Sequence, residues 1–116
     1  MSNSSATLTT IRIAVALNAL VKPVVPIALK IVQGVVPGYY FRYDANGQLS
    51  NGSGCGNETA SERAMMRKFM VDSTEYWASE FKLGGYRFDL MGLIDTTTLS
   101  MAYAELEQIY DDVIMY

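Results

Sequence analysis

At 116 residues, half of them hydrophobic, the chain has the length and apolar content of one small domain. A formal net charge of −3 leaves no basic footprint for nucleic acid. The lack of histidine excludes Ser/His/Asp and Cys/His triads within the chain, and a single cysteine, Cys55, builds neither an ordinary zinc site nor an intramolecular disulfide.

Carboxylates are left to carry any chemistry, and neither a metal nor a cofactor is implied. The charges are also unevenly placed. All twelve acids lie at or beyond Asp44, whereas the first 43 residues carry only Arg12, Lys22, Lys30 and Arg42.

Residues 1–10 are polar and Ser/Thr-rich, and residues 11–36 are apolar but interrupted by Lys22, Pro23, Pro26 and Lys30. The longest uncharged run here, 13–21, is less than half of the ~20 residues that span a bilayer, so no membrane partner is expected. A secretory signal would place basic residues ahead of the apolar core; Arg12 is a single charge and Ala14-Val15-Ala16 falls too early for a cleavage site, which favours a cytoplasmic location. The pattern predicts two short helices, one ending near Val21 and one opening at Pro26 and stopping at Gly34.

Pro37-Gly38-Tyr39-Tyr40-Phe41-Arg42-Tyr43 is an aromatic cluster followed by the turn signal Asp44-Ala45-Asn46-Gly47. The rings form either a small packed loop core or a platform for sugar faces, with Tyr39 and Tyr40 as the candidate substrate contacts. The next block, Ser50-Asn51-Gly52-Ser53-Gly54-Cys55-Gly56-Asn57-Glu58-Thr59-Ala60-Ser61-Glu62-Arg63, has the opening composition of a flexible linker and lacks the Lys-Ser/Thr ending of a phosphate-binding loop.

Thr59 and Glu62 have capping-box spacing, predicting a helix start. Met66, Phe69, Met70, Ser73, Trp77 and Phe81 recur at helical spacing as the expected buried stripe, with Arg67, Lys68, Asp72, Glu75 and Ser79 opposite. Glycines 84 and 85 are expected to end the helix.

Gly85-Tyr86-Arg87-Phe88-Asp89-Leu90-Met91-Gly92 then reads as a buried strand, with Arg87 and Asp89 on one face and Phe88 and Leu90 on the other. Two charges there either pair structurally or line a site. Asp95 or Thr96 can cap a second helix with Leu99, Tyr103, Leu106 and Tyr110 buried, and 113–116 reads as a second strand. Helix, strand, helix, strand is the repeat of a parallel α/β sheet.

From residue 36 onward these motifs resemble the pullulanases, within the α-amylase family of glycoside hydrolases. The block from Ser50 to Arg63 carries the most specific likeness. The family strand pattern aspartate-glycine-phenylalanine-arginine-phenylalanine-aspartate is matched at 84–89, except that Gly84 replaces the acid and Tyr86 the first phenylalanine. The resemblance implies a partial (β/α)8 TIM barrel over 36–116, behind an unrelated apolar segment at 1–35.

It further implies a glycosidase hydrolysing α-1,6 branch linkages of pullulan-, starch- or glycogen-type glucans by a retaining mechanism, with Asp89 as nucleophile and Arg87 orienting it. The matching general acid lies on a family motif beyond Val113-Ile114-Met115-Tyr116, so the chain reads as an internal barrel piece, inactive alone. The alternative is a non-catalytic remnant that binds glucan weakly or associates with other chains. Open sheet edges predict self-association in either case.

Overall fold

The computed structural model describes residues 31, 33–54 and 58–116. The expected helix ending near Val21 and the opening of the next at Pro26 lie outside the described residues, as do Cys55 and Asn57. Helical backbone is present at 31 and 33–35, one residue past the predicted stop at Gly34.

The elements that follow are helix α1 (Ala64–Phe81), strand β1 (Gly85–Tyr86), a 3-10 turn (Met91–Leu93), helix α2 (Thr96–Glu107) and strand β2 (Ile114–Met115). The strands pair in parallel, with Gly85 opposite Ile114 and Tyr86 opposite Met115. Flanking bonds lengthen the ladder: Ile114 N donates to Gly84 O, Tyr116 N to Tyr86 O, and Phe88 N to Tyr116 O at 2.8 Å. The predicted helix–strand–helix–strand order and parallel pairing are therefore observed.

Ahead of α1, three extended runs fold on one another. Phe41 bridges Thr59 and Tyr43 bridges Leu49, both antiparallel. Arg42 N donates to Glu58 O and Ser50 N donates to Arg42 O, each at 2.9 Å. The tip is an Asx turn in which Asp44 Oδ1 accepts from the amides of Asn46 and Gln48 at 2.9 Å, and Gly47 takes φ +74°, where a side chain would be strained.

The described residues of the glycine-rich block are not a free linker. They are pinned by backbone bonds at Ser50 and Glu58, and the Glu58 carboxylate accepts from Gly52 N and Ser50 Oγ.

The capping box does not form. Helix α1 begins at Ala64 with Arg63 as an uncapped N-cap, because Thr59 is held in the bridge to Phe41 and the Glu62 carboxylate is taken by Arg42. The C-terminal left-handed residue is Lys82 at φ 57°, two residues before Gly84, the first of the glycines expected to supply it; its Nζ donates to Ser79 O.

The predicted stripe on α1 is rotated. Val71, Thr74 and Ala78 are the buried positions, whereas Phe69 and Phe81 are exposed and Trp77 is half-buried. Arg67, Val71, Thr74 and Ala78 lie on one face at helical spacing and pack along α2, which answers with Thr98, Ala102 and Leu106. Small side chains let the helix axes approach, so the closest contact falls on the less hydrophobic of two possible stripes. In α2, Leu106 is buried as predicted but Tyr103 is exposed.

Ala78, Leu106 and Val113 form the core, with Tyr86, Ile109, Tyr110 and Met115 packed against it. Full burial of the Leu106 side chain contributes about 1.5–3 kcal/mol. Thus helix, sheet and second helix share one apolar centre.

Candidate active site

The strand predicted over 85–92 is much shorter than expected. Ladder bonding stops at Phe88, Asp89 and Leu90 form a turn, and the 3-10 turn Met91–Leu93 follows. Leu90 is left-handed at φ 55°, ψ 41°, which costs roughly 1–2 kcal/mol for a non-glycine residue. It directly follows Asp89, and such conformations concentrate where a side chain must be aimed.

Consequently Phe88 and Leu90 do not share a strand face: Phe88 is half-buried and Leu90 is 45% exposed. Arg87 and Asp89 are both exposed, so the expected desolvation of two charges does not arise. Among the described residues neither side chain enters a hydrogen bond or an ion pair. Asp89 stands just past the C-terminal end of a parallel strand, the rim at which α/β barrels carry their chemistry.

Three arginines make the polar contacts that tie together the loop ahead of α1, the turn at 91–93 and the start of α2. Arg42 donates through Nη2 and Nε to Glu62 Oε2 at 2.8 and 3.1 Å, and through Nη1 to Leu93 O at 2.8 Å. The hydrogen bond from Arg42 holds the Glu62 carboxyl below its ordinary range, and the same bond raises the guanidinium pKa. Arg42 is the sole Lys or Arg between 36 and 62, a stretch that contains Glu58 and Glu62, and that isolation was the available signal.

Arg67, expected on the solvent side of α1, instead donates to Thr98 Oγ1 at 3.0 Å and to Asp95 Oδ2 at 3.1 Å. Asp95 caps α2 as predicted, accepting from Thr98 N at 2.9 Å; that amide bond is the leading cause of its lowered pKa.

Arg63 donates to the carbonyls of Gly38 and Tyr39 and lies over the Tyr39 ring at 5.5 Å from its centroid. The Tyr39 hydroxyl accepts from Met65 N at 3.2 Å, and Tyr39 meets Tyr40 edge to face at 5.1 Å. Both rings are half-buried, Tyr39 against the start of α1, and no hydrogen bond or ring contact joins them to Arg87 or Asp89.

No protein-family model matches the chain. The chain is 53% identical over 64 residues to a pullulanase of Bacillus subtilis, covering 55% of this chain and 9% of that protein. It is 41% identical over 69 residues to a chloroplastic pullulanase of Arabidopsis thaliana, covering 60% and 7%. A crystal structure of a pullulanase from Anoxybacillus in complex with maltotriose superposes with a TM-score of 0.69 at 48% identity, over 72% of this chain and 12% of that one.

These relatives are glycosidases of the α-amylase family. Within that class, what this chain carries is a pullulanase-like segment, spanning less than a tenth of the length of the two curated relatives.

Proposed function

We propose that residues 36–116 are a piece of a (β/α)8 barrel that carries the nucleophile of a retaining α-1,6-glucosidase acting on pullulan- or starch-type glucans. The observation that carries this reading is the position of Asp89, exposed and without a side-chain partner among the described residues, one residue past the end of the parallel ladder. A carboxylate so placed can attack an anomeric carbon, with Arg87 orienting it.

The retaining mechanism needs a second carboxyl group ~5 Å away to protonate the leaving oxygen. The bond from Phe88 N to Tyr116 O brings the end of β2 level with Asp89, so an acid on a segment following β2 would reach the same rim. On this reading the 116 residues supply half of the catalytic pair and release no sugar alone.

The test is a hybrid in which 36–116 replace the matching segment of the Bacillus subtilis pullulanase. The hybrid is expected to release reducing sugar from pullulan and its Asp89→Asn form to lose turnover, because the amide cannot form a glycosyl ester. Retained turnover in the Asp89→Asn hybrid removes the nucleophile assignment.

A second reading, a non-catalytic module that associates with other chains, draws on the exposed Ile114 and Tyr116 beside open strand edges and on the Tyr76, Trp77 and Phe81 cluster, where Trp77 and Phe81 lie 4.6 Å apart. Light scattering of the purified chain at micromolar concentration distinguishes it, since a dispersed monomer contradicts association.

A further inference from the structure

We propose that Arg42 is a positioning residue for Asp89: its guanidinium fixes the strained turn 89–93 by gripping the carbonyl of Leu93 while Glu62 locks the guanidinium itself. The proposal rests on the reading of Asp89 as nucleophile.

Met91, Leu93 and Ile94 of the turn are half-buried, and few hydrogen bonds hold it. Leu93 N donates to Leu90 O at 2.9 Å and Ile94 N to Met91 O at 3.0 Å, both within the turn. Leu90, the left-handed residue, is 45% exposed and gains little from packing. Outside contacts arrive at its far end, where Arg42 Nη1 meets Leu93 O at 2.8 Å and Ser61 Oγ accepts from Asp95 N at 2.8 Å.

Arg42 is itself fixed in three ways. Its backbone is bonded on both sides, to Glu58 and Ser50. Glu62 Oε2 takes two of its nitrogens, and Glu58 Oε2 lies 3.8 Å from Nη1. A planar fork with several donors can serve Glu62 and Leu93 O together, which an ammonium on a flexible stem cannot do in the same geometry. The loop around Ser50 thereby becomes the brace of the turn that aims Asp89.

The test is amide hydrogen exchange and ¹⁵N relaxation on the full chain. In Arg42→Gln the amides of Leu93, Ile94 and Asp95 are expected to exchange roughly tenfold faster or more, while Leu106 and Ile114 stay within about twofold, the signature of local opening. The order parameters of Asp89 and Leu90 are expected to fall with them. Arg42→Lys should give the same result, since charge without the fork does not restore the grip.

Unchanged exchange at 93–95, wild-type rates in Arg42→Lys, or equal loss of protection at Leu106 overturns the proposal. If Arg42→Gln unfolds outright, Glu62→Gln is read with the same reporters: selective acceleration at 93–95 supports the proposal and its absence overturns it. None of these readouts involves turnover, so they can succeed where the hybrid-enzyme test of Asp89 fails, and the converse.

Discussion

Thr98 and Ser61, both fully buried, are joined by a hydrogen bond from Thr98 Oγ1 to Ser61 O at 2.7 Å, and Ser61 Oγ in turn accepts from Asp95 N. The pair ties the loop ahead of α1 to the first turn of α2. Arg67 Nε completes the group by donating to the Thr98 hydroxyl.

Thr98→Val keeps the shape and deletes that hydroxyl, leaving Ser61 O and Arg67 Nε without their partner. The expected cost is about 1–3 kcal/mol, and each kcal/mol lowers the melting temperature by roughly 4–8 °C in a domain of this size. Ser61→Ala should cost a similar amount, and the double variant less than the sum, because both act on one network. Urea unfolding midpoints of the three variants provide the measurement.

Acid should destabilise the fold through Glu62 and Asp95. Both carboxyls are held below their ordinary range, Glu62 chiefly by the Arg42 hydrogen bond and Asp95 chiefly by the Thr98 amide. Their ionised forms are favoured in the folded state, so this stability is whole above the ordinary carboxylate range and is lost as pH falls through the lowered folded values. Melting temperature is expected to be level from neutrality to about pH 5 and to fall below about pH 4. Glu62→Gln and Asp95→Asn should each make the fall shallower in thermal melts followed by circular dichroism.

How far the sequence disclosed this arrangement depends on the residue. Asp95 as a cap, Leu106 as core and the parallel pairing follow from local pattern, because cap chemistry and period are short-range properties. The face of α1 was not legible: large apolar residues mark one stripe, yet the helix–helix contact selects Val71, Thr74 and Ala78 for their size. Nor could spacing show that Glu62 would leave its capping role for Arg42, 20 residues earlier in the chain. At the site, the residue types of Arg87 and Asp89 were visible, but their exposure depends on the ladder ending at Phe88 and on the left-handed Leu90, neither of which has a sequence signal.

Tyr86 should resist ionisation far into the alkaline range. Burial pushes its pKa up to about 12, and its hydroxyl donates to Thr74 O at 2.9 Å. The neutral phenol is favoured by the fold, so the stability it contributes is present below the ordinary tyrosine range and lost as pH rises through that range toward the folded value. In an ultraviolet titration the Tyr86 step should come near pH 12 and together with unfolding. Tyr86→Phe should remove that step and lower stability by about 0.5–1.5 kcal/mol, the net worth of one hydrogen bond.

Asp89→Asn and Arg87→Gln should leave stability almost untouched. If the two charges formed a buried structural pair, removing one partner would cost about 3–5 kcal/mol by stranding the other in a poorly solvated place. Instead both side chains are exposed, and among the described residues neither holds a hydrogen-bonding or ionic partner. Surface changes of this kind stay within about ±0.5 kcal/mol, so urea midpoints of the two variants and of their double should coincide with that of the parent chain. A fall of several degrees in melting temperature for both single variants, with no further fall in the double, would instead show an Arg87–Asp89 structural pair. The conserved shape of Asn then isolates chemistry from folding: coincident midpoints combined with lost turnover in the hybrid enzyme assign Asp89 to the reacting bond, because the only property the substitution has removed is a carboxylate able to attack.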